Sequence, residues 1–592
     1  MPARDRRIER ARLAVILLAV LLAGAAAHVH ATTKVSPALG RAMAAAAPDA
    51  DLAVWVVFGE KRGVTAEALR TIESGLTPHA RARRARNRDV ASLVDAYDAP
   101  VSRAHIDALR SAGARVRHAS RWLNAVSIDA TAAEIRAVAA WPEVARVDVV
   151  HVARSPRPEP EVTPPARGPL RAPEALSYDY GGSLFQNLLI NIPAMHDLGL
   201  HGEGVMIALL DTGFNNLTHP ALAGLDVLVT HDFVNGDSVV ADEIGQMGSG
   251  YHGALVLGAM AGFAPGELIG PAFGATYLLA KTENTQWERH IEEDAWVAAA
   301  EWADSIGADV ISSSLTYLDG FTNGETGYTW PEMDGATAFI TIGADIAASR
   351  GILIVNAAGN DGFVSEPANT LGAPADGDMV LTVGATDSGG SRSAFSSVGN
   401  TSDGRTKPDV MAMGQSVYTI SSFDPSYVTT SGTSLSTPLV AGAAALVLQA
   451  RPLASNNMLM NALRQTADNA GAPNRLVGWG VIDALAARNA IASSVRGTPD
   501  VPLAALVAYP NPFNPATTVE YDVPSGGRVT IAAYDAAGRR VATLVDAEKT
   551  AGHYRVRWNA RGEGGEPLAS GVYLLSLSGP GFHSSRKVVL LK

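Results

Sequence analysis

Ser434 stands in Gly432-Thr433-Ser434-Leu435-Ser436-Thr437-Pro438-Leu439-Val440-Ala441-Gly442, a glycine-bounded turn running into an apolar stretch. A serine at a helix N-terminus has unpaired backbone N–H groups beside it and the positive end of the helix dipole behind it. Negative charge developing on a nearby oxygen is therefore stabilised. A hydroxyl is a poor nucleophile near neutral pH and needs a base. His252, in Gly250-Tyr251-His252-Gly253, can take the proton during attack and return it to the leaving group. Asp211 ends the apolar run Val205-Met206-Ile207-Ala208-Leu209-Leu210 and can hold the imidazole in one tautomer while stabilising the imidazolium. The chemistry these residues could perform together is acyl transfer. Singly they say less. Asp211-Thr212-Gly213 and Asn360-Asp361-Gly362 are turn signals, His219 in Thr218-His219-Pro220 reads as a turn residue, and most of the 14 histidines serve structure or face solvent.

The chain order is Asp, His, Ser. It differs from that of the α/β-hydrolases, in which serine comes first, and Ser434 lacks the Gly-x-Ser-x-Gly elbow of lipases and esterases. Four blocks follow one another: Asp211-Thr212-Gly213 after a buried strand, His252-Gly253 opening a small-residue helix, Ala357-Ala358-Gly359-Asn360 ending another strand, and Gly432-Thr433-Ser434 followed by Pro438. On these blocks, residues from about 195 to 490 resemble a subtilisin-like serine protease catalytic domain. The resemblance implies peptide-bond hydrolysis through an acyl-enzyme, with Asp211, His252 and Ser434 as catalytic residues. It implies Asn360 as the side-chain donor of an oxyanion hole, the backbone N–H of Ser434 being the second donor. Ser314 and Leu315, in Ser312-Ser313-Ser314-Leu315, resemble the edge strand that pairs with the substrate backbone, and Gly359 the opposite wall of the cleft. The chemistry requires no cofactor. Structural calcium is common in such enzymes, but Asp237, Asp242, Asp376 and Asp378 show no ligand spacing and read as solvated loop residues. The chain departs from the family at Leu255 and Leu439, each standing where a histidine outside the triad is usual. A catalytically silent adhesin or peptide binder on the same fold is the second reading, against which the intact set Asp211, His252, Ser434 and Asn360 weighs.

The elements that must position these residues alternate. Strands are expected at 205–210, 277–281, 309–315, 352–356 and 379–384, and helices near 252–262, 290–305, 335–350 and 437–450. This pattern predicts an α/β fold, a mainly parallel sheet with helices on both faces, its site at strand ends and helix starts. Lys407-Pro408-Asp409-Val410 reads as a structural block, and Gly202-Glu203-Gly204 as a turn lacking the third glycine of a dinucleotide fingerprint. The segment 316–346, with Asp319, Glu325, Trp330, Glu332 and Asp334, is longer than a link needs and is expected to border the substrate groove.

The 592 residues predict about three to five domains at roughly 100–200 residues each. With 47% hydrophobic and 18% charged residues the chain is globular, and a net charge of −12 gives no encouragement to nucleic-acid binding. The absence of cysteine removes disulfides and thiol catalysis. Residues 1–31 read as a signal peptide: arginines at 4, 6, 7, 10 and 12, an apolar run from Leu13 to Ala27, and Val29-His30-Ala31 before cleavage, which predicts a secreted or cell-surface protein. An uncleaved anchor is the alternative.

Residues 50–153 alternate strand patterns (52–58, 122–128) with helical ones (65–97, 102–112, 131–140) and look like the family's inhibitory propeptide, an intramolecular partner that implies a zymogen; a generic interaction domain is the alternative. Its arginine run, Arg81 to Arg88, reads as a solvated helical face, with a processing site or a contact with the acidic remainder of the chain as alternatives. Seven prolines between Arg154 and Pro173 make 154–177 an accessible linker and the place for maturation cleavage. The catalytic domain is expected at 178–495. From 500 to 592, short runs at 517–521, 529–534, 554–558 and 571–577 predict an immunoglobulin-like β-sandwich. Tyr509-Pro510-Asn511-Pro512-Phe513-Asn514-Pro515 and the final Lys587 to Lys592 resemble a C-terminal secretion-sorting domain, implying secretion machinery, often of type IX, as a partner. A substrate- or wall-binding module is the alternative.

Overall fold

The structure is a computed structural model. It describes residues 34–149, 176–494 and 506–590, apart from 60, 62, 88–91, 249, 285–290, 319–326, 363–368, 510–512, 514, 524–525, 536–538, 551 and 580–581. The expected signal peptide and nearly all of the proline-rich linker lie outside the described residues, as do Asp319, Glu325 and the Pro510-Asn511-Pro512 block.

The central element is a seven-stranded sheet in the order Val410–Met413, Val380–Thr386, Leu353–Ala357, Val310–Ser313, Met206–Asp211, Thr276–Lys281, Asp226–Asp232. Every pairing in it is parallel. Parallel strands covered on both faces are apolar throughout, as in Met-Ile-Ala-Leu-Leu at 206–210. The two-residue period divides them between layers. Ile207 and Leu209 pack toward helices Tyr251–Ala261 and Thr433–Ala450, whereas Ala208 and Leu210 pack toward Ile291–Ile306 and Phe339–Ser349. Helix Thr433–Ala450 has the length and hydropathy of a membrane span, the one such helix among the described residues, yet it is buried behind the sheet.

Strand Val310–Ser313 pairs on both sides, with Met206–Asp211 and Leu353–Ala357. The expected edge strand over 312–315 is thus corrected: its first half is an interior strand, and Ser314 and Leu315 extend beyond the sheet. The block at 407–410 is structural. Lys407 Nζ donates to the Asp409 carboxylate (2.8 Å), the Val380 carbonyl (2.6 Å) and Thr382 Oγ1 (3.1 Å), and Arg464 reaches the other oxygen of Asp409. Lys407, Thr382 and Asp409 are buried, so Lys407→Met, which leaves the carboxylate with Arg464 as its one remaining cation, should lower stability by about 3 kcal/mol. A urea midpoint equal to that of the parent would contradict it.

Ahead of the sheet lies a four-stranded antiparallel sheet in the order Arg115–Ser120, Ala125–Thr131, Asp51–Phe58, Val144–Val149. Helices Arg103–Ser111 and Ala132–Ala139 cover one face, joined by Pro37–Ala45, whose Leu39 and Met43 enter the same core ahead of the expected start at residue 50. The other face meets the larger domain: Trp55 lies 5.8 Å from the ring of Phe339, and Trp122 joins the core around Trp296. The expected helix over 65–97 is broken into Ala66–Ser74, Pro78–Asn87 and a short turn at Ala96–Asp98, because Gly75 and Pro78 interrupt it.

The C-terminal region pairs a three-stranded sheet (506–509, 517–523, 552–558) with a four-stranded one (540–549, 527–535, 571–579, 582–590). Val519, Tyr521 and Trp558 from the first share a core with Ile531, Leu575 and Val588 from the second, which makes a β-sandwich.

Candidate active site

Asp211 is the last residue of its strand and is buried. Its Oδ1 accepts from the Thr212 N–H (2.8 Å) and from His252 Nδ1 (2.7 Å). A carboxylate can only accept, so Nδ1 carries the proton and Nε2 keeps its lone pair, the arrangement a base requires. His252 reaches the carboxylate because Gly253 lets the start of helix Tyr251–Ala261 press against the strand end. A Cβ there would lie 2.2 Å from the Gly213 carbonyl and 3.1 Å from Asp211 Cβ.

Ser434 is the second residue of helix Thr433–Ala450, six residues into which stands Pro438. A proline has no N–H to give to the carbonyl four residues back, and that carbonyl belongs to Ser434. Ser314 Oγ donates to it instead at 2.8 Å, while Ser434 Oγ donates to the Ser314 carbonyl at 3.4 Å. The segment beyond the sheet is held from its other side by Asn356 Nδ2, which donates to the Leu315 carbonyl at 3.0 Å. Ser314 and Leu315 therefore lie against the first turn of the serine helix.

Asn360 is exposed just past the strand end Ala357. Its Oδ1 accepts from the Thr433 N–H (2.9 Å) and Thr433 Oγ1 (3.1 Å), and Thr433 Oγ1 accepts from the Gly359 N–H (3.2 Å). A Cβ built on Gly432 would lie 3.6 Å from Asn360 Nδ2 and 3.7 Å from both the N–H nitrogen and Oγ of Ser434. Asn360 Nδ2 and the nitrogen and hydroxyl of Ser434 thus border the same small space beside Gly432.

Thr433, Asn356 and the Pro438–Ser314 exchange went unread in the sequence. Thr433 could have been found, since it adjoins the serine; the Ser314 hydroxyl that replaces the N–H missing at Pro438 could not, because Ser314 and Ser434 stand 120 positions apart. Leu255 and Leu439 are buried in the core, so both departures from histidine are packing changes. Among the carboxylates expected in solvated loops, Asp376 is instead buried, accepting from Thr341 Oγ1 (2.7 Å) and the Gly335 N–H (2.9 Å), and burial raises its pKa. Asp242 bonds Asn215 and the Gly250 N–H, and Asp237 the Val239 N–H and Gln246. Among the described residues no three His, Asp or Glu side chains gather as a metal site.

A parallel sheet that brings a carboxylate–imidazole pair and a helix-borne serine to its strand ends belongs to the serine hydrolases with subtilisin topology. The sequence profile of the subtilase family matches residues 202–480, that of the Bacteroidota peptidase S8 propeptide domain residues 53–163, and that of the FlgD Ig-like domain residues 515–580. Subtilisin DY of Bacillus licheniformis is 35% identical over 286 residues, 48% of this chain and 90% of its own. Subtilisin Savinase of Lederbergia lenta is 34% identical over 302 residues, covering 50% and 96%, and subtilisin E of Bacillus subtilis (strain 168) is 30% identical over 368 residues, covering 62% and 81%. The chain belongs to the subtilase family and is a serine-type endopeptidase carrying a propeptide domain and a C-terminal Ig-like domain.

Proposed function

We propose that the protein is a secreted or cell-surface endopeptidase made as a self-processing zymogen, with Ser434 as nucleophile, His252 as base and then acid, and Asp211 as the group that orients and stabilises His252. The observation that carries this reading is the 2.7 Å bond from His252 Nδ1 to Asp211, which leaves Nε2 free to accept a proton. Attack of Ser434 Oγ on a peptide carbonyl forms the C–O bond as His252 takes the proton; the carbonyl oxygen becomes an oxyanion facing Asn360 Nδ2 and the Ser434 N–H. His252 then protonates the leaving amine, and water repeats the sequence on the acyl-enzyme. Ser314 and Leu315, with Gly359 opposite, are the segments we assign to the substrate backbone. No cofactor takes part in these steps.

The domain order we propose is signal peptide 1–31, propeptide 50–153 preceded by helix Pro37–Ala45 that shares its core, linker and maturation region 154–177, catalytic domain 178–495, and a sandwich from 500 that directs export or surface attachment. The decisive experiment incubates purified full-length protein beside its Ser434→Ala variant, following intact mass and casein digestion. The parent should cut itself between Arg154 and Tyr178 and digest casein, and the variant should do neither. Casein digestion by the variant, or a parent that stays whole and takes no fluorophosphonate label, would sink the reading in favour of a silent binding protein.

A further inference from the structure

Strands Val417–Ile420 and Tyr427–Thr430 form a hairpin whose second strand runs through Ser431-Gly432-Thr433 into Ser434. The Gly432 N–H donates to the Gly414 carbonyl (2.8 Å), which closes the foot of the hairpin beside the serine turn. Strands of four residues span about 13 Å at roughly 3.3 Å per residue, so the tip at 421–426 stands that far from the foot. At the tip is Phe423, 79% exposed.

Single apolar residues on a surface are ordinary, and Leu228, Ile244 and Leu453 are exposed as well. Phe423 differs from them in its mount. Ser422 Oγ donates to the carbonyl of Tyr251, the residue before His252, and Thr419 Oγ1 donates to that of Leu255 one turn further along the same helix (2.7 Å). Asn216, in the loop that follows Asp211, donates from Nδ2 to the carbonyls of Ser421 (2.7 Å) and Asp424 (2.9 Å). His219 Nε2 donates to the Ser426 carbonyl (3.1 Å) while its Nδ1 accepts from the Ala221 N–H (3.1 Å), so the ring carries its proton on Nε2.

Within the tip the Asp424 carboxylate accepts from the N–H (2.9 Å) and the hydroxyl of Ser426, and Pro425 fixes its own φ. Behind the tip Tyr418 and Tyr427 stack at 5.5 Å, and His219 meets Tyr427 edge-on at 5.1 Å. The tip is thus held by the loop after Asp211 and by the helix that carries His252. None of these bonds uses the ring of Phe423, and a ring left in water forgoes the stabilisation that its burial would bring. The fold therefore does not account for an aromatic residue there. On so rigid a mount the ring has little freedom left to lose when something covers it.

The segments assigned above to the substrate backbone, Ser314-Leu315 and Gly359, meet the first turn of the serine helix, where the acyl group is held. The hairpin tip meets the elements of His252 and Asp211 instead. His252 is the group that protonates the leaving amine, so the chain departing with that amine runs on past His252 toward the tip. An extended peptide crosses about 13 Å in roughly four residues. We propose that Phe423 is a specificity-determining residue of the endopeptidase, its ring covering an apolar side chain of the polypeptide substrate at one of the second to fourth positions past the bond that is cut. The proposal rests on the assignment of Ser434 and His252 to the cleft, and it names what the leaving half of the substrate carries.

The test digests a random peptide library with the processed enzyme and with its Phe423→Ser and Phe423→Leu variants, and reads by mass spectrometry the residues around each cut. The parent should enrich aliphatic or aromatic residues at one of those positions; Phe423→Leu should keep the enrichment and Phe423→Ser should lose it. Two peptides that differ only there, leucine against serine, should differ about tenfold in kcat/KM with the parent and hardly at all with Phe423→Ser, the lower end of what one apolar contact supplies in discrimination. A parent without preference past the cut, a Phe423→Ser ratio equal to the parent's, or a change confined to residues before the cut would overturn the proposal. Should Phe423→Ser lack a single cooperative unfolding transition, Phe423→Leu decides: its enrichment should shift from aromatic toward aliphatic residues at the same position, and a profile identical to the parent's would overturn the proposal. In each of these failures the library is still cut, whereas failure of the protease reading leaves it whole.

Discussion

His252→Ala is expected to lower kcat on casein about a millionfold, and adding Ser434→Ala should lower it no further. Neither residue has a task without the other: the hydroxyl is unreactive until its proton has a destination, and the imidazole has nothing to activate once the hydroxyl is gone. The magnitude is the one known for a subtilisin, a relative of this chain, and corresponds to about 8 kcal/mol of transition-state stabilisation. The residual rate expected, roughly 10³–10⁴ above water, belongs to binding and to the donors around the oxyanion, proposed above to be Asn360 Nδ2 and the Ser434 N–H. Purified variants with unchanged circular dichroism, assayed for kcat and for fluorophosphonate incorporation, provide the check. Losses that multiply in the double variant would mean that the two residues act independently and that another group serves as base.

Asp211→Asn should cost about 10⁴-fold in kcat with KM nearly unchanged. Its Oδ1 now accepts from both the Thr212 N–H and His252 Nδ1. An asparagine can keep its oxygen in that place, in which case the tautomer survives and the charge that stabilises the imidazolium is lost. Alternatively it turns its NH₂ to the imidazole, which moves the proton to Nε2 and abolishes the base. Either way only the step that charges His252 suffers, so the defect lies in turnover and not in substrate affinity. A rise in KM comparable to the fall in kcat would show instead that the cleft had collapsed.

What the sequence disclosed, and what it hid, follows from the range of the interactions. Asp211 was legible because a six-residue apolar run ends on it, and a buried strand that finishes in a carboxylate is a local signal. The helix behind Ser434 was legible for the same reason, although it begins at Thr433 and not at 437. Strand Asp226–Asp232 escaped notice: it lies at the sheet edge, is half exposed, and carries Thr, His and Asp in place of an apolar run. The register that makes Val310–Ser313 an interior strand is a property of its neighbours, so Ser312-Ser313-Ser314-Leu315 could be read only by resemblance, and it was read as an edge. The arginine run follows the alternative expectation, a contact with the acidic remainder of the chain, over the solvated face. Five arginines within eight residues ordinarily mean water; Arg83 and Arg84 are instead buried, and the Asp304 carboxylate they share stands more than 200 residues further along the chain, though Asp98, which Arg84 also meets, is close by. Charge complementarity at the separation of Asp304 leaves no local trace.

The paired hydroxyls of Ser314 and Ser434 also bear on the energy of the first chemical step. Ser434 Oγ lies 3.4 Å from the Ser314 carbonyl, so in the mechanism proposed above attack requires a side-chain rotation that gives up this bond and turns the hydroxyl proton toward His252. So long a hydrogen bond forfeits less than about 1 kcal/mol when lost. That is under a tenfold effect on rate, and the helix backbone need not move, because Ser314 Oγ goes on holding the Ser434 carbonyl while the side chain turns. The proposed nucleophile thus has one mobile torsion on a fixed mount, and the entropy that a flexible loop would lose on reaching the transition state has already been lost in folding.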